Sequence, residues 1–290
     1  MKRTLSTLSL RLRSVIAGAV VASLAAAPAL AVEPTAGQVQ DSVLHNSKTV
    51  AVQPIFMAAT RKSAWYDLGA QLQVAQVTPA AQAQAKGIDL SLPKTAGFSF
   101  AGEATAADMS ILRYAMVLGM VPAMARAGMT EEVAKTTEAL ASQHGVILGS
   151  LSEAARLSAA LLITVTRDEE AAQSVGIGQA LGAALTAGML GIAEAAAKDS
   201  ATQRAHGYYT AGIWAGASLL IGMAGGSNEW SDMAEPIATL LDKDAAFGGA
   251  DRQLATHLRA IAGAVREGNV NLDTVKQSLT AITKIAADRG

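Results

Sequence analysis

Acid–base or metal chemistry in this 290-residue chain would fall first to its four histidines, His45, His144, His206 and His257, since there is no cysteine. Two metal ligands on one helical face need a spacing such as His-x-x-x-His or Glu-x-x-His. None of the four histidines has such a neighbour. Nor is there a Gly-x-Ser-x-Gly nucleophile elbow, a glycine-rich phosphate loop ending in Lys-Ser/Thr, or a dinucleotide fingerprint. Carboxylates gather at expected helix starts, as in Asp168-Glu169-Glu170, where the positive end of the helix already accounts for them. The sequence therefore names no catalytic residue, metal ligand or cofactor. It points away from enzymatic chemistry without excluding a site assembled only in three dimensions.

Two other patterns suit binding. Met109, Met116, Met120 and Met124 recur at intervals of 7, 4 and 4 with Leu112 on the same face. Flexible thioethers lining a helix can accept an apolar ligand or a partner helix, and they also fill gaps in a core. Pro122 is expected to interrupt this helix after Gly119 by removing an amide donor. Aromatic and polar residues cluster at Trp65-Tyr66-Asp67, at His206-Gly207-Tyr208-Tyr209 with Trp214, and at Asn228-Glu229-Trp230-Ser231-Asp232. Trp65, Tyr66, Tyr208, Tyr209, Trp214 and Trp230 are accordingly the candidates for a partner interface, with the edge of a core as the plainer alternative.

The elements that must position these residues are helices. Alanine is abundant and aromatics are only 4% of the chain, a balance that favours helix over sheet. Residues 171–193 and 205–228 form two long uncharged stretches. They contain Gly178-x-x-x-Gly182 and Gly212-x-x-x-Gly216, a spacing that lets helix backbones touch. Each stretch is long enough to cross a bilayer. Gln173, Gln179, Gln203 and Asn228 would be costly in lipid, so the buried centre of a bundle is the favoured reading.

Helix starts are signalled by Thr105-x-x-Asp108, Ser150-x-x-Glu153, Thr166-x-x-Glu169 and Ser200-x-x-Gln203, all at capping-box spacing, and by Thr130 followed by Glu131 and Glu132. Leu254, Leu258, Ile261 and Val265, then Leu272, Val275, Leu279, Ile282 and Ile285, mark two amphipathic helices turned back at Gly268-Asn269. Four of the seven prolines fall within 32–100, where helices are expected only over 55–77 and over 79–86, the latter capped by Thr78. The expectation is an all-α, compact bundle of six to eight helices over 101–290 behind a loop-rich segment, 32–100.

Residues 1–31 read as a secretory signal. Lys2, Arg3, Arg11 and Arg13 precede a short apolar run, and Ala29-Leu30-Ala31 supplies small residues for cleavage after Ala31. The mature chain would be periplasmic or extracellular. Loss of those four basic residues leaves 19 basic against 24 acidic side chains, a net charge of −5 with no basic cluster, which argues against nucleic acid as a partner. Without disulfides, the exported fold must rest on its core. The function expected is binding or scaffolding, toward a protein partner or an apolar small molecule and with a homo-oligomer as one form. Membrane insertion or pore formation through 171–228 is the alternative, and an apolar-ligand carrier or enzyme with a Met-lined pocket is the second alternative.

Overall fold

The computed structural model describes residues 77–85, 106–168, 176–243 and 251–289. The signal expected at 1–31, the helix expected over 55–77 apart from Val77, Trp65, Tyr66, His45 and the Thr105 cap lie outside them. The described residues form an all-α bundle. Its helices are α1 (Pro79–Ala85), α2 (Ala106–Arg126), α3 (Thr130–Ile147), α4 (Glu153–Arg167), α5 (Ile177–Ala195), α6 (Ser200–Met223), α7 (Asn228–Asp232), α8 (Ala234–Lys243), α9 (Asp251–Ala264) and α10 (Leu272–Arg289).

The centre is a pair, α2 and α6, pressed together at glycines. A Cβ on Gly216 would collide with the Met116 carbonyl oxygen, one on Gly212 with the Leu112 carbonyl, and one on Gly119 would stand 2.5 Å from the Ile213 carbonyl. Contacts rise in step along both helices, from Gly212 against Leu112 to Gly216 against Met116 and Met120, so α2 and α6 run parallel although nearly a hundred residues apart. The Gly212-x-x-x-Gly216 spacing does bring backbones together, and its partner is α2. Helix α5 lies antiparallel on another side of α6, with Gly188 against Thr210 and Tyr209 and Gly191 against His206. From Gln203 to Met223 every residue of α6 except Arg204 is buried. A helix apolar around its whole circumference belongs at such a centre.

Helix α2 is continuous through Pro122, which corrects the expected interruption. The proline lies within the last turns of the helix and is buried, so packing outweighs the one amide withdrawn. Three capping expectations also shift. The hydroxyl at the head of α4 is that of Ser152, accepting from the Ala155 amide at 3.4 Å, because Ser150 and Leu151 complete the preceding turn. Helix α6 is capped by Asp199 instead of Ser200, its carboxylate accepting from the amides of Ala201 at 3.0 Å and Thr202 at 2.9 Å. A charged acceptor at a positive helix end is stronger than a hydroxyl. Thr166 stands in the last turn of α4, its hydroxyl donating back to the Leu162 carbonyl at 2.7 Å; hydroxyls bond in this way inside helices as readily as they cap them.

The closing hairpin follows its periodicity. Leu254, Leu258, Ile261, Val265, Leu272, Val275, Leu279 and Ile282 are buried, and Gly268 turns the chain with φ +77°. The Asn271 amide donates to the Ala264 carbonyl at 2.8 Å, and the Ser227 amide to Val265 at 2.8 Å. Thr78 caps α1, accepting from the Ala81 amide at 3.2 Å. On the outside, Arg259 bonds Glu235 through two nitrogens at 3.0 Å each, lacing α9 to α8, and Arg266, in the turn after α9, bonds Asp232 of α7 at 2.7 Å.

Candidate functional site

The Met stripe faces inward. Met109, Met116, Met120 and Met124 are all at most 3% exposed, and the backbone of α6 closes on Met116 and Met120 at Gly216. Neither of the two cavities described below reaches any of the four. The aromatic candidates are also inside. Tyr208, Tyr209, Trp214 and Trp230 are buried, where the sequence suggests a partner interface. The Trp214 and Trp230 rings stack at 6.1 Å between centroids. Trp214 Nε1 donates to the Trp230 carbonyl at 3.2 Å, and Trp230 Nε1 donates to Ser218 Oγ at 2.8 Å. Both indoles thus satisfy their only donor within the fold, which fastens α7 to α6. Val146 and Val270 are the large apolar side chains exposed among the described residues, and they stand on different helices or turns.

Three polar groups remain as site candidates. At the start of α6, Arg204 Nε lies 3.3 Å from Asp108 of α2, and Tyr208 donates to the carboxylate of Asp251, at the head of α9, at 2.8 Å. Burial, then the Asp251 charge, push the Tyr208 phenol far up, so it stays protonated and donates. The group ties three helix starts together, and neither cavity opens onto it. Between α2 and α3, the Tyr114 hydroxyl donates to the Leu140 carbonyl at 2.9 Å and lies 3.1 Å from His144 Nδ1. Since the phenol already donates, the imidazole carries its proton on Nδ1. His144 Nε2 is buried without a partner. Burial and then the nearby Arg156 charge lower this histidine to about 4.

The third group has a cavity. His206, in the second turn of α6 and 1% exposed, rests its ring in the space that Gly191 of α5 leaves by having no side chain. The backbone amide of Ser152, in the α3–α4 turn, donates to His206 Nε2 at 3.1 Å. The ring proton is therefore on Nδ1, which is buried and has no acceptor. Burial lowers His206 to about 4, so it is neutral at pH 7. Beside it lies a cavity of about 330 Å³, walled by Ser150, Leu151 and Ser152 of the turn, by Gly191, Glu194 and Ala195 of α5, by Lys198 and Asp199 of the following link, and by Thr202 and His206 of α6. A second cavity, about 470 Å³, lies between Thr78 and Ala81 of α1, the end of α6 and the start of α10. Of its polar residues, Thr78 is occupied in capping α1 and Asn271 in capping α10, accepting from the Thr274 amide at 3.0 Å, and Asp273 is exposed in the first turn of α10.

Comparison with protein-family models, curated proteins and solved structures finds no match.

The chemistry available at the His206 cleft is narrow. Its Nε2 is held by an amide and not by a hydroxyl, Ser152 Oγ is engaged at the α4 cap, and Asp199 is engaged at the α6 cap. Among the described residues His206 meets no hydroxyl, the hydroxyl that meets His144 is that of Tyr114, whose proton goes to the Leu140 carbonyl, and no group of three or more His, Asp or Glu stands close enough there to hold a metal. What the cleft offers is a small apolar interior and a charged rim; the His206 Nδ1–H is buried against Gly191, where being unpaired costs roughly 1–3 kcal/mol. An isolated histidine in the sequence carries no such signal, because the group that orients it is a backbone amide.

Proposed function

We propose that the chain is exported through residues 1–31 and that the mature protein is a non-enzymatic binding protein, taking a small ligand with an apolar body in the cleft beside His206. The observation that supports this reading is the cleft itself: about 330 Å³ bounded by Leu151, Gly191 and Ala195, with Lys198 and Glu194 at its mouth. Small-molecule sites combine an apolar wall with a few fixed polar groups in this way, and 300 Å³ is the lower end of their usual size. The scaffold reading has less support, since Tyr208, Tyr209, Trp214 and Trp230 are inside the fold.

Calorimetric titration of mature protein with hexanoate, hexylamine and hexanol tests the reading. Binding of at least one, weakened at least tenfold by Lys198→Trp at the exposed rim, is the expected result. No heat from any of the three up to millimolar concentration, or binding that Lys198→Trp leaves unchanged, overturns it.

A second reading is membrane insertion. Helix α5 is long and apolar enough to cross a bilayer by length and composition, and 67% of its most apolar window is buried in the fold. Flotation with vesicles of phosphatidylglycerol and phosphatidylethanolamine tests it: insertion predicts that α5 carries the protein to the lipid layer, and protein left in the dense fraction removes the reading.

A further inference from the structure

Among the described residues the bond from the Ser152 amide to His206 Nε2 is the hydrogen bond that joins the turn itself to α6; Leu148 and Leu151 of the turn are buried in the core, and one turn further on the Tyr209 hydroxyl donates to the Ala155 carbonyl of α4 at 3.4 Å. Among the described residues the other hydrogen bonds of the turn stay within it or within the helices it connects: Leu151 to the Leu148 carbonyl, Leu148 to His144, and Ala155 to Ser152 Oγ. The acceptor is also a titratable group. A neutral imidazole has one nitrogen that accepts and one that donates; a charged one has two donors and no acceptor, so flipping the ring restores nothing.

We propose that the Ser152–His206 bond is an acid-released latch on the cleft: a proton taken from solvent by His206 Nε2 sets N–H against N–H, and the α3–α4 turn detaches from α6. This rests on the reading of the cleft as the binding site, since Ser150, Leu151 and Ser152 form one of its walls.

The charged groups on the elements around the ring are Glu194 and Lys198 from α5 and its link, Glu153 and Arg156 from the first turn of α4, and Asp199 and Arg204 from α6 itself. Asp199 is held by the first-turn amides and the Thr202 hydroxyl. Burial, and no ion pair, keeps His206 neutral down to about 4. The latch is closed at neutral pH and opens as the pH falls through the acid range.

The test is amide hydrogen exchange followed by NMR on mature protein between pH 7 and pH 4, corrected for intrinsic exchange, with no ligand added. Its outcome is therefore independent of whether any compound binds the cleft. The expected result is that the Ser152 amide loses protection at least tenfold more than the Trp214 amide in the core of α6. That loss tracks the ring-nitrogen shift of His206. In His206→Gln, whose carbonyl can accept but does not titrate, the excess loss is absent, while His144→Gln keeps it. Should His206→Gln not fold, the coincidence of the ring titration with the Ser152 loss in the unaltered chain decides. Ser152 and Trp214 losing protection together, or an unchanged Ser152 loss in His206→Gln, overturns the latch.

Discussion

Helix α6 uses absent side chains in two ways. Along its seam with α2, Gly212 and Gly216 let the backbones of Leu112 and Met116 come into direct contact, and Gly119 does the same from the other side. Along its seam with α5, Gly191 makes room instead for the His206 ring. The first seam is closed by main chain and leaves nothing for a ligand. The second is filled by a polar ring with one unsatisfied nitrogen and borders a cavity. Glycines in helices can thus build a rigid joint or a receptive one, and the residue placed opposite decides which.

The rigid seam should be the more easily broken. Gly216→Ala is expected to destabilise the fold by about 3 kcal/mol, at the upper end for overpacking because the atom it meets is a backbone oxygen that cannot rotate away. Urea denaturation measures this. A loss below about 1 kcal/mol would mean that the seam can open. Gly191→Ala should cost about 2 kcal/mol in the same assay, since its methyl displaces a side chain and not a helix. It should also free the Ser152 amide to exchange at neutral pH.

Acid should act on the receptive seam and spare the rigid one. His144 and His206 are both lowered from 6.5 to about 4 in the fold, so between those values the unfolded chain binds more protons. Their contribution to stability is complete above pH 6.5, falls as the pH drops toward 4 and changes no further below that. The slope is about 1.4 kcal/mol per pH unit for each histidine. His206→Gln should remove about half of it in denaturation curves taken at several pH values, and an unchanged slope would mean that the ring is not titrating as its burial requires. Smallest is the cap. Asp199→Ala should cost about 1 kcal/mol at pH 7 by removing the acceptor at the head of α6.

How much of this can be read from the chain depends on the range of the interaction. The α9–α10 hairpin is legible because its apolar residues repeat at helical spacing and Gly268 marks the turn. The small-residue spacing at Gly212 and Gly216 announces a close approach. It cannot name α2 as the partner, since the contact joins residues nearly a hundred positions apart and α2 has only Gly119 to answer with. Caps are legible to within a residue or two: Asp199 and Ser152 take the places expected of Ser200 and Ser150 because neighbouring acceptors compete for the same amides. The Met stripe has the right spacing for a groove or for a core, and spacing does not distinguish them. His206 is silent in sequence, since what fixes it is a backbone amide on one side and a missing side chain on the other.

The central claim is that the cleft at His206 receives a ligand while the Met-lined seam does not. A single NMR titration compares them directly, with hexanoate added to the chain from Val32 onward carrying labelled methionine methyls and labelled amides. Shifts are expected at the Ser152, Gly191 and Lys198 amides and none at the methyls of Met109, Met116, Met120 and Met124. Saturable shifts at the Met116 and Met120 methyls with the cleft amides unmoved would contradict it.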